Sequence, residues 1–403
     1  MSLFQSILLI LTSGIILFTA LGAVYQMFFG LIYVFCCKKR NFHQTPIHFF
    51  TILIPAHNES DGLKPVLERC LNLDYPHELY RIVVVADNCT DKTAQVVRNS
   101  GVECLERFDE RKRGKGEALA WSIPQILAGK TDAIMILDAD SYLEPLTLQV
   151  CDGELQKGNH VVQISYLAAD PDNSFRCYAL ALARFIENQL YHWAKSKVGL
   201  AAFLTGSGMV FHREILEKYP WQSNGLTEDF EYCLDLIKHG VTPVFAGDVA
   251  LESPFSAETT QLTVQRTRWI SGGLDALRHS AFPLIWKGIR EWNLIALDTG
   301  ISMFFISRPL VIGQVLLSGL LAVGCLRFAP SMGANLLTAI WGGIVFVYFS
   351  YVLLGIFAMR LTKRRMKFLC LLPIFVLRYF GIAVKSVLQR PKKWERTPRS
   401  PIK

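Results

Sequence analysis

Two carboxylates one residue apart, Asp138 and Asp140, close the apolar run Ile134-Met-Ile-Leu137. Such a run reads as a buried strand, so the pair stands where that strand leaves its sheet. Side chains at i and i+2 of an extended chain point the same way. Carboxylates aimed together repel unless a cation lies between them, and hard oxygen ligands suit Mg²⁺ or Mn²⁺, which in turn suit a diphosphate. The plain alternative is a strand end carrying two solvated acids. Asp87 opens the turn Asp87-Asn-Cys-Thr-Asp91. Thr90 as an N-cap and Asp91 in a first helical turn account for themselves there, but not for Asp87. Arg111-Lys-Arg-Gly-Lys-Gly116 is a basic, glycine-rich helix entry around Lys115. It reads as an anion site or as a solvated loop. Gly206-Ser207-Gly208 kinks an apparent strand from Phe203 to Phe211, which marks either a bulge or a place where something approaches the backbone closely. Thr227-Glu228-Asp229 opens a helix that ends at Gly240. N-capping and the helix dipole explain the first two residues and leave Asp229 open. Gln265-Arg-Thr-Arg268-Trp269 is either a membrane-surface face or a set that pairs with phosphate and stacks on a sugar.

These residues need a frame. From Phe49 the chain alternates short apolar strands with amphipathic helices. Strands are expected over Phe49 to Pro55, Arg81 to Ala86, Val102 to Leu105 and Ile134 to Leu137. Helices are expected over Glu59 to Leu73, over Thr90 to Ser100, and over Gly114 to Leu127 with an interruption near Pro124. A long amphipathic helix is expected from Ser174 to Lys195, and another amphipathic segment from Gln261 to His279. The alternation implies an α/β fold with a mostly parallel sheet covered on both faces, whose ligands bind beyond the carboxyl ends of the strands. His57, Asn58 and Glu59 after the first strand, Asp87 after the second and Asp138 after a later one all fall there.

The 403 residues are 51% hydrophobic and only 19% charged, too apolar for one ordinary soluble domain. The excess lies at the two ends. Residues 3 to 37 carry no charge and form one helix longer than a bilayer needs; Lys38-Lys39-Arg40 then places the next segment on the cytoplasmic side. Residues 294 to 326 should break at Arg308-Pro309 into an interfacial or kinked half and a spanning half. Asn335 to Met359 spans. Phe368 to Leu388, basic on both flanks, reads as interfacial or re-entrant. That makes three crossings, amino terminus outside and carboxyl terminus inside. The formal charge of +8 clusters beside apolar runs, which points to lipid headgroups and not to nucleic acid. Ten cysteines without C-x-x-C pairs or regular spacing to histidine read as reduced cytosolic thiols, with no zinc site expected.

Taken in order, Asp87, Asp138-Ala-Asp140, Thr227-Glu228-Asp229 and Gln265-Arg-Thr-Arg268-Trp269 resemble the D, DxD, TED, Q(Q/R)xRW signature of family-2 glycosyltransferases that make polysaccharides. Cellulose, chitin, hyaluronan and poly-N-acetylglucosamine synthases are the relatives. Ile54-Pro-Ala-His-Asn-Glu59 looks like that family's nucleotide-site start. The resemblance covers residues 50 to 275. It implies a glycosyltransferase A (Rossmann-like) cytosolic domain over 45–255 and interfacial helices with the Gln265–Trp269 motif over 256–292. A transmembrane helix over 1–40, transmembrane and interfacial helices over 293–390 and a basic tail over 391–403 would flank them.

By the same resemblance the reaction is an inverting displacement from a UDP-sugar, with Mg²⁺ or Mn²⁺ as cofactor. Asp87 would hold uracil, with Pro55, His57 and Glu59 forming the other wall. Lys115 would approach the diphosphate. Asp138 would contact ribose and metal, and Asp140 the metal. Asp229 would be the base, with Glu228 beside it in the catalytic set. Arg268, with Gln265 and Arg266, would hold the diphosphate, and Trp269 would stack on the acceptor sugar. Gly206, Ser207 and Gly208 would line the acceptor end. Ser141 departs from the pattern, because some cellulose synthases have histidine after the metal pair. The function implied is processive elongation from UDP-glucose or UDP-N-acetylglucosamine with export through the membrane helices. The alternative is transfer of one sugar to a membrane lipid. Three spans are few for a one-chain tunnel and leave room for a homo-oligomer or an accessory export subunit.

Overall fold

The computed structural model describes residues 2–39, 44–222, 225, 227–254, 259–372, 374–376, 378 and 380–381. The strands are β1 (Phe50–Ala56), β2 (Tyr80–Asp87), β3 (Glu103–Arg107), β4 (Ala133–Ile136), β5 (Tyr142–Leu143), β6 (Val161–Ala168), β7 (Met209–His212) and β8 (Val244–Ser253). They form one sheet in the order β3-β2-β1-β4-β7-β6-β8-β5. β1 is apolar along its length, and Phe50, Ile52, Leu53 and Ile54 are fully buried, as a strand covered on both faces must be. Alternate residues feed two cores. Ile52, Ile54, Val84 and Met135 pack with Leu67 of α2 (Leu63–Leu71), Val97 of α3 (Thr93–Asn99) and Leu148 of α5 (Thr147–Gln156). Leu53, Val83, Val85, Ile134 and Ile136 pack on the other face with Leu119 and Ile123 of α4 (Lys115–Leu127), Leu216 of α8 (Arg213–Lys218) and Leu236 of α9 (Glu228–Lys238).

The sheet is mixed where the sequence suggested mostly parallel. β2-β1-β4 and β3 run parallel, but β7 lies antiparallel between β4 and β6. The chain enters β7 at the carboxyl edge, through Gly206–Gly208, and leaves it at the opposite edge at His212. The expected strand from Phe203 therefore shrinks to Met209–His212. Pro124 does not interrupt α4. It removes one donor, but Leu119, Ile123 and Ile126 bury the face around it, and packing holds the turn. α2 begins at Leu63, after a turn closed by Leu63 N–H on the Glu59 carbonyl at 3.1 Å. α3 begins at Thr93; its first turn is held by Asp91, which accepts from Thr93 N–H at 2.9 Å, and Thr90 is not the cap.

Among the described residues, three helices are long and apolar enough to cross a membrane: α1 (Leu3–Cys36), Leu310–Phe328 within α13 (Arg308–Phe328), and α14 (Met332–Ala358). They pack together through Ile16, Ala23, Ala322, Leu337 and Ile344. The apolar helix α12 (Leu294–Ile306) stops at Ser307, just ahead of Arg308-Pro309, where the break was expected. The basic helix α15 (Lys363–Leu369) follows α14. The remainder of the expected 368–388 segment from residue 382, and the 391–403 tail, lie outside the described residues, as does Arg40.

A single long helix joins the sheet to these spans. α6 (Phe175–Phe185) continues through a widened π-helical stretch (Ile186–Trp193) into α7 (Ala194–Lys197). Asn188 in the widened part accepts from Tyr166 N–H at 2.9 Å, next to the register shift between Ile164 and Ser165 in β6. Leu182, Ile186 and Leu190 pack on Tyr351 and Ile356, and Tyr191 and Ala194 pack on Phe29. At the centre of this contact Lys195 Nζ lies 2.6 Å from Asp298 Oδ2 of α12, with side-chain exposures of 0% and 6%. The Tyr25 hydroxyl of α1 donates to Asp298 Oδ1 at 2.6 Å.

Candidate active site

The carboxyl ends of β2, β1 and β4 stand side by side, and each contributes a polar group. At the end of β1, Pro55 is half-buried and His57 Nδ1 lies 2.7 Å from the Asp87 carbonyl. Asn58, at φ 56°, receives Thr90 N–H on Oδ1 at 2.8 Å, while Glu59 N–H donates to Thr93 Oγ1 at 2.8 Å. These bonds knit the two strand-to-helix turns into one wall. Asp87 is buried, and its Oδ1 accepts from Arg107 at 2.5 Å. Arg107 is equally buried and also donates to the Lys112 carbonyl at 2.7 Å, which fastens the basic loop leading to Lys115.

Lys115 is the hub. Its ammonium donates to Asp138 Oδ1 and to the Gly206 carbonyl, the latter at 2.5 Å. Burial works against that charge, but Asp138, Glu228 and Asp229 outweigh it and hold the lysine above its ordinary pKa. Gly206 has φ +86°, and a Cβ there would lie 3.1 Å from Asp229 Oδ2 and 3.9 Å from Lys115 Nζ. The absence of a side chain thus lets Asp229 close on the Lys115–Asp138 pair. Burial also raises the Asp229 carboxyl, with Lys115 opposing and Asp138 adding. Burial and the charge of Asp229 push Glu228 up to about 7, and Lys115 and Arg268 pull it back. Thr227 occupies the N-cap position without a side-chain capping bond. A Cβ on Gly272 would meet it at 2.5 Å, so α10 (Thr259–Ala276) lies directly on the entry to α9.

Asp138 is set by the 206–208 loop. Its N–H donates to Ser207 Oγ at 3.0 Å, and Ser207 Oγ donates to Ser141 Oγ at 3.1 Å. Ser207 is fully buried, so the expectation that it lines an acceptor cleft is corrected: its hydroxyl is spent on positioning the metal-type pair. Gly208, at φ +70°, sits where a Cβ would meet Ile164 at 2.5 Å. Asp138 and Asp140 are both partly exposed. Burial and the charges of Asp140 and Asp138 raise the Tyr166 phenol, which places both acids beside that ring.

From Tyr166 a stack leads to Trp269. The Arg184 guanidinium lies 4.9 Å from the Tyr166 ring centroid and 5.1 Å from that of Trp269, and Arg266 lies over Trp269 at 4.7 Å. Cations on an aromatic face are attracted by its quadrupole. Two guanidiniums thus lie against the Trp269 ring. Arg268 Nε is buried with no hydrogen-bond partner among the described residues, an orphaned donor beside Glu228 that an anion would satisfy. Gln265 falls on α10, but its side chain lies outside the described residues.

The structure thus brings Lys115, Asp138, Gly206, Glu228, Asp229 and Arg268 together, adds Asp140 and Trp269 through Tyr166 and Arg184, and sets His57, Glu59 and Asp87 along the adjoining strand ends. Sequence reading passed over Arg107, Gln163, Tyr166 and Arg184. Gln163 is fully buried; its Nε2 donates to the Ser207 carbonyl at 2.8 Å and its Oε1 accepts from Thr205 N–H at 2.9 Å, which fixes the glycine loop. A lone amide inside the apolar run Val161 to Tyr166 was the available signal, because a buried polar group needs partners. The donor set suits a hard divalent cation at Asp138 and Asp140, an anion at Lys115 and Arg268, and proton removal at Asp229.

Comparison with known proteins agrees with this geometry. A family model described as "Glycosyltransferase like family 2" matches residues 46–272. The chain is 29% identical over 244 residues to the probable glycosyltransferase YdaM of Bacillus subtilis, covering 55% of this chain and 54% of that protein. It is 26% identical to the beta-monoglucosyldiacylglycerol synthase of Nostoc sp., covering 57% and 50%. It is also 26% identical to the poly-beta-1,6-N-acetyl-D-glucosamine synthase of Staphylococcus epidermidis, covering 64% of each. The matches thus span about half to two thirds of these relatives' lengths. Among solved structures, the mannosyltransferase PcManGT from Pyrobaculum calidifontis, in complex with GDP-Man and Mn²⁺, aligns with a TM-score of 0.57 over 96% of this chain and all of that one, at 16% identity. That likeness is one of fold.

Proposed function

The chain belongs to the family-2 glycosyltransferases, and from that premise we propose that it moves a sugar from a nucleoside-diphosphate donor, a UDP-sugar, to an acceptor presented at the membrane face. The observation that carries this reading is Lys115, tied to Asp138 and to the Gly206 carbonyl with Asp229 against the same glycine. Asp87, His57 and the loop to Glu59 hold the base end of the donor. Lys115 and Arg268 hold the diphosphate as it gains charge, in a partly dry site where such stabilisation is strong. Asp138 and Asp140 hold Mg²⁺ or Mn²⁺, which neutralises the departing nucleotide when bound. Asp229 takes the proton of the acceptor hydroxyl as that oxygen attacks the sugar carbon from the side opposite the leaving group. The domain faces the cytoplasm, where Lys38 and Lys39 follow α1.

The acceptor that fits best is a membrane lipid receiving one sugar. α1, α13 and α14 pack on one another through Ile16, Ala23, Ala322 and Ile344, and two arginines, Arg184 and Arg266, lie over Trp269. Both features support a lipid hydroxyl in preference to a polymer threaded through this chain. A beta-monoglucosyldiacylglycerol synthase is among the relatives. Polymer elongation is the second reading; the Gln265–Trp269 pattern and the poly-N-acetylglucosamine synthase relative favour it. Membranes carrying the protein, given labelled UDP-sugars with Mn²⁺ or Mg²⁺, should yield labelled lipid of one added sugar. Label that grows into a long, lipid-free chain overturns the lipid reading, and no transfer from any nucleotide sugar overturns both.

A further inference from the structure

The opposite edge of the sheet, where β4 begins and β7 ends, carries a second cluster of ligating side chains. The antiparallel register Val161↔Phe211 sets His160 directly opposite His212, and His212 N–H donates to the His160 carbonyl at 2.8 Å. Glu214 follows two residues later, in the first turn of α8. His160 Nδ1 and His212 Nδ1 lie 3.9 and 3.8 Å from Glu214 Oε2, and one ligand atom from each of the three lies within 4.8 Å of the others. His212 Nδ1 is buried and has no hydrogen-bond partner among the described residues. Its ring is held edge-on between His160, with centroids 5.5 Å apart, and His48, with centroids 6.0 Å apart. His48 in turn is bonded through its Nδ1 to Asp152.

We propose that His160, His212 and Glu214 form a binding site for one borderline divalent cation, Zn²⁺ or its neighbours Co²⁺, Ni²⁺ and Cu²⁺, separate from the Asp138–Asp140 pair. Imidazole nitrogen selects these ions, whereas the oxygen-only pair at the other edge selects Mg²⁺ or Mn²⁺. Zn–N and Zn–O bonds of about 2.0–2.1 Å in a tetrahedral shell put ligand atoms about 3.3 Å apart. The two histidine–glutamate spacings close to that by about half an ångström and the His160–His212 pair, within 4.8 Å, by at most about 1.5 Å, movements that the Glu214 side chain, 70% exposed, and that of His160, 47% exposed, are free to make. Three protein ligands leave a fourth position for water. The site ties the start of β6, the end of β7 and the start of α8. β7 is only four residues long and begins next to Gly208, so the cation braces the strand that carries the catalytic glycine loop.

The test uses the full-length chain without a polyhistidine tag, purified in detergent, stripped with chelator and dialysed against micromolar Zn²⁺ in excess Mg²⁺. The wild type and Asp138→Asn should each retain one zinc. His160→Ala and Glu214→Gln, both at exposed positions and neither in the transfer site, should bind zinc about tenfold or more weakly. Co²⁺ loaded in place of zinc should give the strong visible bands of a tetrahedral nitrogen-containing site in the wild type and lose them in His160→Ala. Equal zinc retention by the wild type and His160→Ala, or zinc lost in Asp138→Asn but kept in His160→Ala, overturns the proposal.

Discussion

Asp298→Asn should strip a buried cation of its counterion, and the structure sets the scale of the damage. Lys195 and Asp298 meet at 2.6 Å with side chains 0% and 6% exposed, so neither charge recovers hydration when the other is removed. Breaking one side of such a pair costs about 3–5 kcal/mol. The Tyr25 hydroxyl still finds an oxygen acceptor in the amide, so the loss falls mainly on Lys195. Lys195→Met, which keeps the stem packed near Tyr191 and Phe203, should cost a similar amount by stranding Asp298. Replacing both partners, Lys195→Met with Asp298→Leu, removes both desolvation penalties, and its cost should stay below about 2 kcal/mol. Thermal unfolding in detergent reads this directly: at about 2–4 °C per kcal/mol, each single change lowers Tm by about 6–20 °C. The double change restores most of that. A single substitution within about 1 kcal/mol of wild type, or a double variant as unstable as the two singles added, would refute the assignment of a tight, dry ion pair.

Removing divalent ions with EDTA should stop transfer, with Mn²⁺ or Mg²⁺ restoring it in the wild type but not in Asp140→Asn; a restored Asp140→Asn would exclude that ligand. Arg107→Met leaves the buried Asp87 carboxylate without its cation, so UDP binding by calorimetry should weaken about tenfold or more while the fold persists. Gly206→Ala, at φ +86° and 3.1 Å from Asp229, should lower kcat about 10–100-fold for about 1–2 kcal/mol of stability. Gly208→Ala meets Ile164 at 2.5 Å and should instead lose stability by about 1–3 kcal/mol or more from overpacking; the reverse order would contradict the placement of the two glycines. Glu228 is pushed up to about 7 and must be ionised to face Arg268, so transfer should rise as pH increases through about 7. An unchanged acidic limb in Glu228→Gln would dismiss Glu228 as its source.

What the chain disclosed on its own was what depends on short-range pattern. The runs Phe49 to Pro55 and Ile134 to Leu137 became β1 and β4 because continuous apolar strands need cover on both faces, and the acids after them lie at the carboxyl edge as the topology requires. The break before Arg308-Pro309 followed from proline alone. Non-local choices were hidden. Nothing near Met209 says that β7 runs against β4, since the direction is set by where the preceding helix releases the chain. Ser207 looked like a cleft residue because its partners, Ser141 and the Asp138 amide, are 66 and 69 positions away. Arg107 and Arg184 gave no signal in the sequence; only the folded neighbours, Asp87 for one and two aromatic rings for the other, make them interior.

The Arg184 stack has a mechanical side. Arg308, the first residue of a spanning helix, donates to the Ala183 carbonyl at 2.7 Å, and the very next side chain is the one clasped between Tyr166 and Trp269. A change in bilayer thickness tilts such a helix, and the pull arrives one peptide away from Arg184, whose guanidinium lies over the Trp269 ring. With Trp269 against the acceptor sugar, as the motif resemblance implies, vesicles of short and long acyl chains should support different turnover with everything else equal; identical turnover would deny the stack any mechanical role.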